Sequence, residues 1–236
     1  MKVSVIIAAA GMGRRFGSEE PKQFLPLMGK PVLAWSIERV CQSPMVGEVI
    51  VAIPPVKEAL AIDIINDINL KTPLKIVAGG ATRQESVKNG LQQVNEKFHW
   101  IAVHDAARPL IRMADFEAVC LMAREVGAAI LAIPIQDTIK EVMDDGLVVK
   151  TLDRSRLYLA QTPQVAKKED LLAAYEKAAA NNFKATDESS MLEAAGYPVA
   201  VVKGSTTNIK ITTKEDLILA EVLMKLEQQK QEASSE

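Results

Sequence analysis

Val3-Ser4-Val5-Ile6-Ile7-Ala8-Ala9-Ala10-Gly11-Met12-Gly13-Arg14-Arg15-Phe16 stands almost at the start of the chain and decides how the rest is read. Residues 3–9 are apolar nearly throughout and rich in β-branched side chains, the pattern of a strand buried on both faces. The strand runs into two glycines among small residues, which let backbone N–H groups come close to an anion. Arg14, Arg15 and, after Pro21, Lys22 add fixed positive charge around that loop. Phe16 stands where a GxGxxG dinucleotide fingerprint needs its third glycine, and no Gly-Lys-Ser/Thr of a Walker loop follows. A plain tight turn would use the glycines equally well, but the added Arg-Arg and Pro-Lys favour a triphosphate cradle. Lys2 and the apolar run superficially resemble a signal peptide, yet they lead straight into Arg14-Arg15 where a cleavage site belongs.

Outward from this stretch, short β-branched runs alternate with amphipathic ones, as in a parallel sheet covered by helices. Strands are expected at residues 3–9, 49–53, 74–77, 100–104 and 129–133, and helices at 32–42, 57–68, 82–94, 115–126 and 214–229. Thr212 and Glu215 are spaced as a capping box for the last helix, and the polar tail at about 228–236 is expected to fray. With no linker or repeat in 236 residues, the expectation is one Rossmann-like α/β domain, its mostly parallel sheet covered on both faces. Hydrophobic residues make up 48% and charged residues 25%, the balance of a globular protein. A net charge of −2 argues against a protein that coats nucleic acid through bulk charge. Cys41 and Cys120 lie far apart and only two histidines accompany them, so neither a disulfide framework nor a structural zinc site is expected. No apolar run approaches the ~18–20 residues that span a bilayer, and a reducing, cytoplasmic setting is the default.

One stretch breaks the alternation. Residues 138–143 and 147–152 are β-prone and flank Asp144-Asp145-Gly146, where Asp145-Gly146 would suit a two-residue hairpin turn. In that register Thr138 faces Asp153 and Asp137 faces Arg154, which puts Thr138 and Arg154 together at the hairpin base. Such an arm, at about 137–160, has unpaired edges and apolar residues to hide, by folding back on its own domain or by docking on a second subunit.

In open α/β sheets ligands bind beyond the carboxyl ends of the strands. His104-Asp105-Ala106-Ala107-Arg108-Pro109 follows one predicted strand, so Asp105 faces the same crevice as the glycine loop. One carboxylate there is the minimum for holding Mg²⁺ against phosphate oxygens, since Mg²⁺ keeps much of its water. The alternative is an Asp105 bonded only to Arg108 or nearby backbone. His104 reads as a satisfied structural residue, because no nucleophile accompanies it. Three further polar patches are ordinary when taken singly: Gly79-Gly80-Ala81-Thr82-Arg83 with Ser86, Thr186-Asp187-Glu188, and Asn208-Ile209-Lys210. Thr186 could simply cap a helix beginning at Asp187. These residues alone define a phosphate-handling α/β protein.

Taken together, the motifs resemble a known family. Ala8-Ala9-Ala10-Gly11-Met12-Gly13-x-Arg15 with Pro21-Lys22-Gln23 resembles the signature loop of nucleotidyltransferases that activate sugars. His104 to Pro109, Asp137-Thr138, Asp153-Arg154, Gln161-Thr162-Pro163-Gln164, Thr186-Asp187-Glu188 and Asn208-Ile209-Lys210 narrow the resemblance to the 2-C-methyl-D-erythritol 4-phosphate cytidylyltransferase family. The resemblance implies transfer of a cytidylyl group from CTP to methylerythritol phosphate, with Mg²⁺ and release of pyrophosphate. It implies that Ala9, Ala10, Gly11 and Gly13 surround the nucleotide, that Gly80, Ala81 and Ser86 recognise cytosine, and that Arg15 and Lys22 stabilise triphosphate charge. Asp105 would hold the metal and substrate, Arg154 and Lys210 would position the attacking phosphate, and Arg108, Thr138 and Thr186 would contact the polyol phosphate. It also implies a homodimer with exchanged arms, so that Thr138 and Arg154 enter the neighbouring site. Two residues depart from the family's usual pattern: Ala81, where some members carry a polar side chain, and Tyr158, where Trp is common.

Ribitol 5-phosphate cytidylyltransferases share most of these motifs, because both acceptors are short polyol phosphates. A nucleotide-binding regulatory module without transfer is the rival from another class, and the complete set Arg15, Lys22, Asp105 and Lys210 argues against it. Loss of a preorganised charge donor sets the expected size of one effect: Lys22→Ala lowers pyrophosphate release by at least roughly a hundredfold. Near-normal turnover in that variant would remove Lys22 from the machinery.

Overall fold

The computed structural model describes residues 1–11 and 20–233. In chain order the elements are β1 (Val3–Ala8), the two-residue strands β2 (Pro26–Leu27) and β3 (Lys30–Pro31), α1 (Val32–Cys41), β4 (Val46–Ile53) and α2 (Glu58–Asn66). There follow β5 (Leu74–Ala78), α3 (Arg83–Gln92), β6 (Trp100–Asp105), α4 (Met113–Val126), β7 (Ala128–Pro134), β8 (Lys140–Val142) and β9 (Val148–Thr151). The chain continues with β10 (Tyr158–Lys167), α5 (Lys168–Ala180), α6 (Glu188–Ala195), β11 (Ala200–Lys203) and α7 (Lys214–Ala233).

Seven strands form one sheet in the order β11-β7-β10-β6-β1-β4-β5. β10 runs antiparallel to both neighbours, and the other neighbours pair in parallel. The near-continuous apolar strands are explained by what covers them. Val3, Val5 and Ile7 of β1 pack with α1, α2 and α4, whereas Ile6 packs with α3, α5 and α6 on the opposite face. Alternate residues of one strand thus enter different cores, as a period of two requires. A third cluster docks α7, through Ala220 and Met224, on Leu27, Val32 and Ile211.

The five expected strands and five expected helices are present with small shifts at their ends. β2, β3, β10, β11 and α5 have no counterpart in the sequence expectations, and α6 is foreshadowed only as the helix that Thr186 could cap. α7 runs on to Ala233, through the segment expected to fray. Its cap also differs: Thr213 accepts from the Asp216 N–H at 3.3 Å, and Asp216 accepts from the Thr212 and Thr213 N–H groups at 2.8 Å. The reciprocal pair is therefore one residue later than Thr212–Glu215.

β8 and β9 form a separate two-stranded arm. Its base keeps the expected register, with Lys140 opposite Thr151 and Glu141 opposite Lys150. The tip differs. Gly146 N–H donates to the Met143 carbonyl at 2.9 Å, and Met143 N–H donates to the Leu147 carbonyl at 2.9 Å. Gly146 alone in this loop takes a left-handed φ, of +86°. A three-residue loop with a bulged glycine therefore replaces the two-residue turn, and the Asp145 carboxylate secures it by accepting from Leu147 N–H. The arm's far boundary also moves, because Tyr158 to Ala160 pair with β7 in the main sheet. Val142, Met143, Leu147, Val148 and Val149 on the arm are each more than half exposed.

Gly90 gives a direct test of how α3 sits on the sheet. A Cβ there would lie 2.7 Å from Cγ2 of the fully buried Ile6. Helix propensity favours Ala over Gly by about 1 kcal/mol, whereas overpacking a core costs about 1–3 kcal/mol. Gly90→Ala is therefore expected to lower stability in denaturant titrations; a stabilised variant would show that the α3–β1 contact is looser than described.

Candidate active site

A crevice of about 680 Å³ opens beyond the carboxyl ends of the parallel strands. Ala8 to Gly11 follow β1, Pro54 to Val56 follow β4, Gly80 to Arg83 follow β5, and Asp105 to Ala107 close β6. Lys22, Gln23, Ser86, Lys210 and Thr212 complete the lining. The chain leaves β1 toward β4 and β5 and later returns on β1's other side as β6, so the crevice lies at the topological switch point. There Ala8 pairs with Asp105.

The loop geometry is set by close approaches. A Cβ on Gly79 would lie 2.2 Å from the Ala10 Cβ, so only glycine lets the β5 loop press against the β1 loop. Thr82 caps α3 through a capping box with Glu85. The Ser86 hydroxyl accepts from Gly80 N–H at 3.1 Å and donates to the Thr82 carbonyl at 2.7 Å. Ser86 thus shapes the loop that carries Gly80 and Ala81. The Gln23 amide donates to the Ala9 and Gly11 carbonyls and ties the β1 loop to the following segment.

Charge is concentrated on the floor. Asp105 Oδ1 accepts from Arg83 Nε at 3.1 Å, Oδ2 pairs with Lys210 Nζ at 2.7 Å, and Arg108 Nε lies 3.9 Å from Oδ2. Burial works against the Asp105 carboxylate, but Arg83, then Lys210 and Arg108, hold it well below the usual carboxylate range. Burial likewise opposes charge on Arg83, and Glu188 and Asp105 outweigh it, pushing Arg83 above its ordinary value. Three cations face two carboxylates here, and Lys22 stands on the wall, where it donates to the Ile211 carbonyl. The floor therefore carries excess positive charge suited to an anion. Burial lowers Arg108 although Asp105 opposes this, and the repulsion from Arg83 that adds to it is what a bound phosphate would relieve.

His104 is a strut. Its Nε2 faces the Arg108 carbonyl at 3.1 Å, which can only accept, so Nε2 carries the proton. Nδ1 then accepts from the Thr162 hydroxyl at 3.0 Å, while that oxygen accepts from the Asp105 N–H at 3.0 Å. The neutral imidazole thereby fixes the backbone of the segment that presents Asp105 and Arg108.

Of the residues singled out from sequence, Ala9, Ala10, Gly11, Lys22, Gly80, Ala81, Ser86, Asp105 and Lys210 meet in the crevice. Gly13 and Arg15, with Arg14 and Phe16, lie outside the described residues. Arg108 stands behind Asp105 and donates to the Asn208 and Ala160 carbonyls. Arg154 is exposed at the base of the arm and donates to the Gln136 carbonyl, close in sequence to Thr138. Thr186 is exposed and does not cap: Asp187 accepts from Ser190 N–H and starts α6 one residue later than expected. Arg83 and Glu188 belong to two separate sequence patches, yet they hold each other through two hydrogen bonds. Nothing in either patch points to the other. Both cysteines are free thiols, pushed up by burial to about 11 for Cys41 and about 12 for Cys120. Among the described residues, no helix is long and apolar enough to cross a membrane.

A mostly parallel α/β sheet with a cationic crevice at its switch point defines a protein that handles nucleotide phosphates. The chain matches the family model for 2-C-methyl-D-erythritol 4-phosphate cytidylyltransferase over residues 3–226 and belongs to that family. It is 43% identical to the enzyme of that name from Syntrophus aciditrophicus, over 96% of this chain and 97% of the relative. It is 44% identical to the one from Carboxydothermus hydrogenoformans, over 94% of this chain and 95% of the relative. The crystal structure of 4-diphosphocytidyl-2C-methyl-D-erythritol synthase from Anaerococcus prevotii superposes with a TM-score of 0.84 at 31% identity, covering 95% of this chain and 96% of the other.

The buried histidine generates a pH prediction. Burial pulls His104 down from 6.5 to about 4. Between those values the unfolded chain takes up a proton that the folded chain refuses, so stability is complete above about 6.5 and falls as pH drops toward 4. From pH 7 to pH 5 this contributes a loss of about 2 kcal/mol. His104→Gln, whose amide can donate to Arg108 and accept from Thr162, is expected to flatten that dependence in chemical unfolding; an unchanged slope would refute the buried neutral imidazole.

Proposed function

We propose that this chain transfers a cytidylyl group from CTP to 2-C-methyl-D-erythritol 4-phosphate, releasing pyrophosphate, as a cytoplasmic enzyme of isoprenoid precursor synthesis. The observation that carries the reading is the switch-point crevice, in which a buried carboxylate gathers three cations beneath small-residue loops. The attacking group is a phosphate monoester, already ionised at neutral pH, so no strong general base is needed. A buried, neutral His104 agrees with that economy. The difficulty is bringing two anions together, and positioning with electrostatics is the remedy.

In this reading the β1 loop and Lys22 receive the triphosphate, whose charge Arg15 also stabilises. Gly80 and Ala81 offer backbone groups to cytosine on a loop shaped by Ser86. Lys210, 40% exposed and paired with Asp105, is free enough to turn onto the incoming phosphate. Asp105 fits a divalent cation as its one protein carboxylate. In this reading the cation's remaining ligands are phosphate oxygens and water, as suits Mg²⁺, which keeps much of its hydration shell. Mg²⁺, when bound, neutralises triphosphate charge and orients the α-phosphate. Arg108 and Thr186 take the polyol phosphate side.

The single nucleotidyltransferase domain works as a homodimer in this reading. The arm exposes apolar side chains along both of its strands, which a second copy can bury. Arg154 and Thr138 at its base then complete the neighbour's crevice, where Arg154 fixes phosphate orientation by a bidentate grip that Lys cannot reproduce. Mixed dimers test this. Lys22→Ala and Arg154→Ala chains, each inactive alone, should regain about one quarter of wild-type turnover after subunit reassortment, since half the dimers then hold one intact site. No recovery would place Arg154 in its own subunit's chemistry.

The activity itself is tested by pyrophosphate release from CTP and Mg²⁺ with methylerythritol phosphate or ribitol phosphate as acceptor. Strong preference for methylerythritol phosphate is expected. Preference for ribitol phosphate would keep the mechanism and change the acceptor, and release with neither would reduce the crevice to a binding site.

A further inference from the structure

Arg83 stands where the nucleotide loop, the metal carboxylate and the start of α6 meet. Its two Nη atoms donate to the two oxygens of Glu188 at 2.8 and 2.9 Å, while Nε donates to Asp105 Oδ1 at 3.1 Å. The Glu188 side chain is only 3% exposed. α6 does not need it in order to begin. Asp187 caps the helix by accepting from Ser190 N–H at 2.9 Å. Gln164 of β10 donates to Asp187 at 2.8 Å and accepts from Ser189 N–H at 2.9 Å. Burying a further carboxylate at such a place is unfavourable without a task for its cation.

The task follows from guanidinium geometry. A guanidinium grips a carboxylate best with two parallel N–H groups. A guanidinium free to turn beside a carboxylate can take both of its oxygens in this way. Glu188 holds the end-on pair of Nη groups and fixes the plane of the guanidinium, in which Arg83 meets Asp105 through Nε at Oδ1 alone while Oδ2 faces Lys210 and the crevice. We infer that Glu188 is a positioning residue for the nucleotide's metal: it restrains Arg83 to Oδ1, so that Oδ2 is open to the cation arriving with the triphosphate once Lys210 turns from it onto the incoming phosphate. Glu188 lies two residues beyond Thr186, so the same link joins the acceptor-binding segment to the nucleotide loop. The inference rests on the metal assignment made above for Asp105.

The test is calorimetric binding of CTP to the full-length wild type and Glu188→Gln, each with and without Mg²⁺. The amide keeps the shape of the carboxylate but turns an N–H₂ toward the guanidinium, which breaks the fork. The expected result is CTP affinity at least about tenfold weaker in Mg²⁺, with Mg²⁺-free affinity nearly unchanged, the size of effect seen when a partner behind a metal ligand is lost. Wild-type affinity in Mg²⁺, or equal weakening with and without it, overturns the inference, because the first shows no coupling and the second a merely loosened pocket. If Glu188→Gln does not fold, Glu188→Asp is read by the same two criteria. A wild type whose CTP affinity ignores Mg²⁺ would instead overturn the metal assignment beneath the inference.

Discussion

A carboxylate at the closed end of a crevice stays ionised only when cations are held against it, and the site is organised around that constraint at Asp105. Arg83, Lys210 and Arg108 come from α3, from the segment after β11 and from the turn after β6, and they meet at one side chain. Burying ions is a poor way to stabilise a fold, because desolvation offsets most of the attraction. Removing a single partner is costly all the same, so the cluster is kept intact or not at all. In the proposed reading, its excess of positive charge offers a triphosphate a largely preorganised counter-charge.

The sheet makes this meeting possible. β1 and β6 are neighbours although the chain builds β4 and β5 between them, so the glycine-containing loop and Asp105 arrive side by side at the switch point. β10, inserted antiparallel between β6 and β7, brings Thr162 under Asp105 and Gln164 under the start of α6. β1, β4, β6 and β7, which read as plain apolar runs, are buried on both faces, whereas β5 at the sheet edge is only partly buried.

Much of this was legible in the residues because it is local. The strand–loop unit at residues 3–11, the placing of Asp105 at a strand end and the structural character of His104 all follow from neighbouring side chains. The hairpin base was legible too, since period-two pairing carries register along the arm, whereas the tip depends on which residues accept a left-handed φ. β10 was hidden by Pro163, which argues against a central strand; here the pairing with β7 breaks between Ala160 and Gln164, and the proline sits in the break. α5 carried a usable signal, with Leu171, Ala174, Tyr175 and Ala178 at helical spacing and buried. Arg83 and Glu188 carried none, because 105 residues separate them and only the fold makes them partners.

The most direct measurement is turnover and CTP binding by Asp105→Asn, in protein shown by circular dichroism to keep its fold. The amide has the carboxylate's shape without its charge, so Lys210 and Arg83 lose the anion that gathers them while Glu188 still holds Arg83. The account predicts product formation reduced at least about a hundredfold, the scale of losing a preorganised electrostatic contact. Turnover within a few-fold of wild type would contradict it and show that the cations on the crevice floor act without the carboxylate between them.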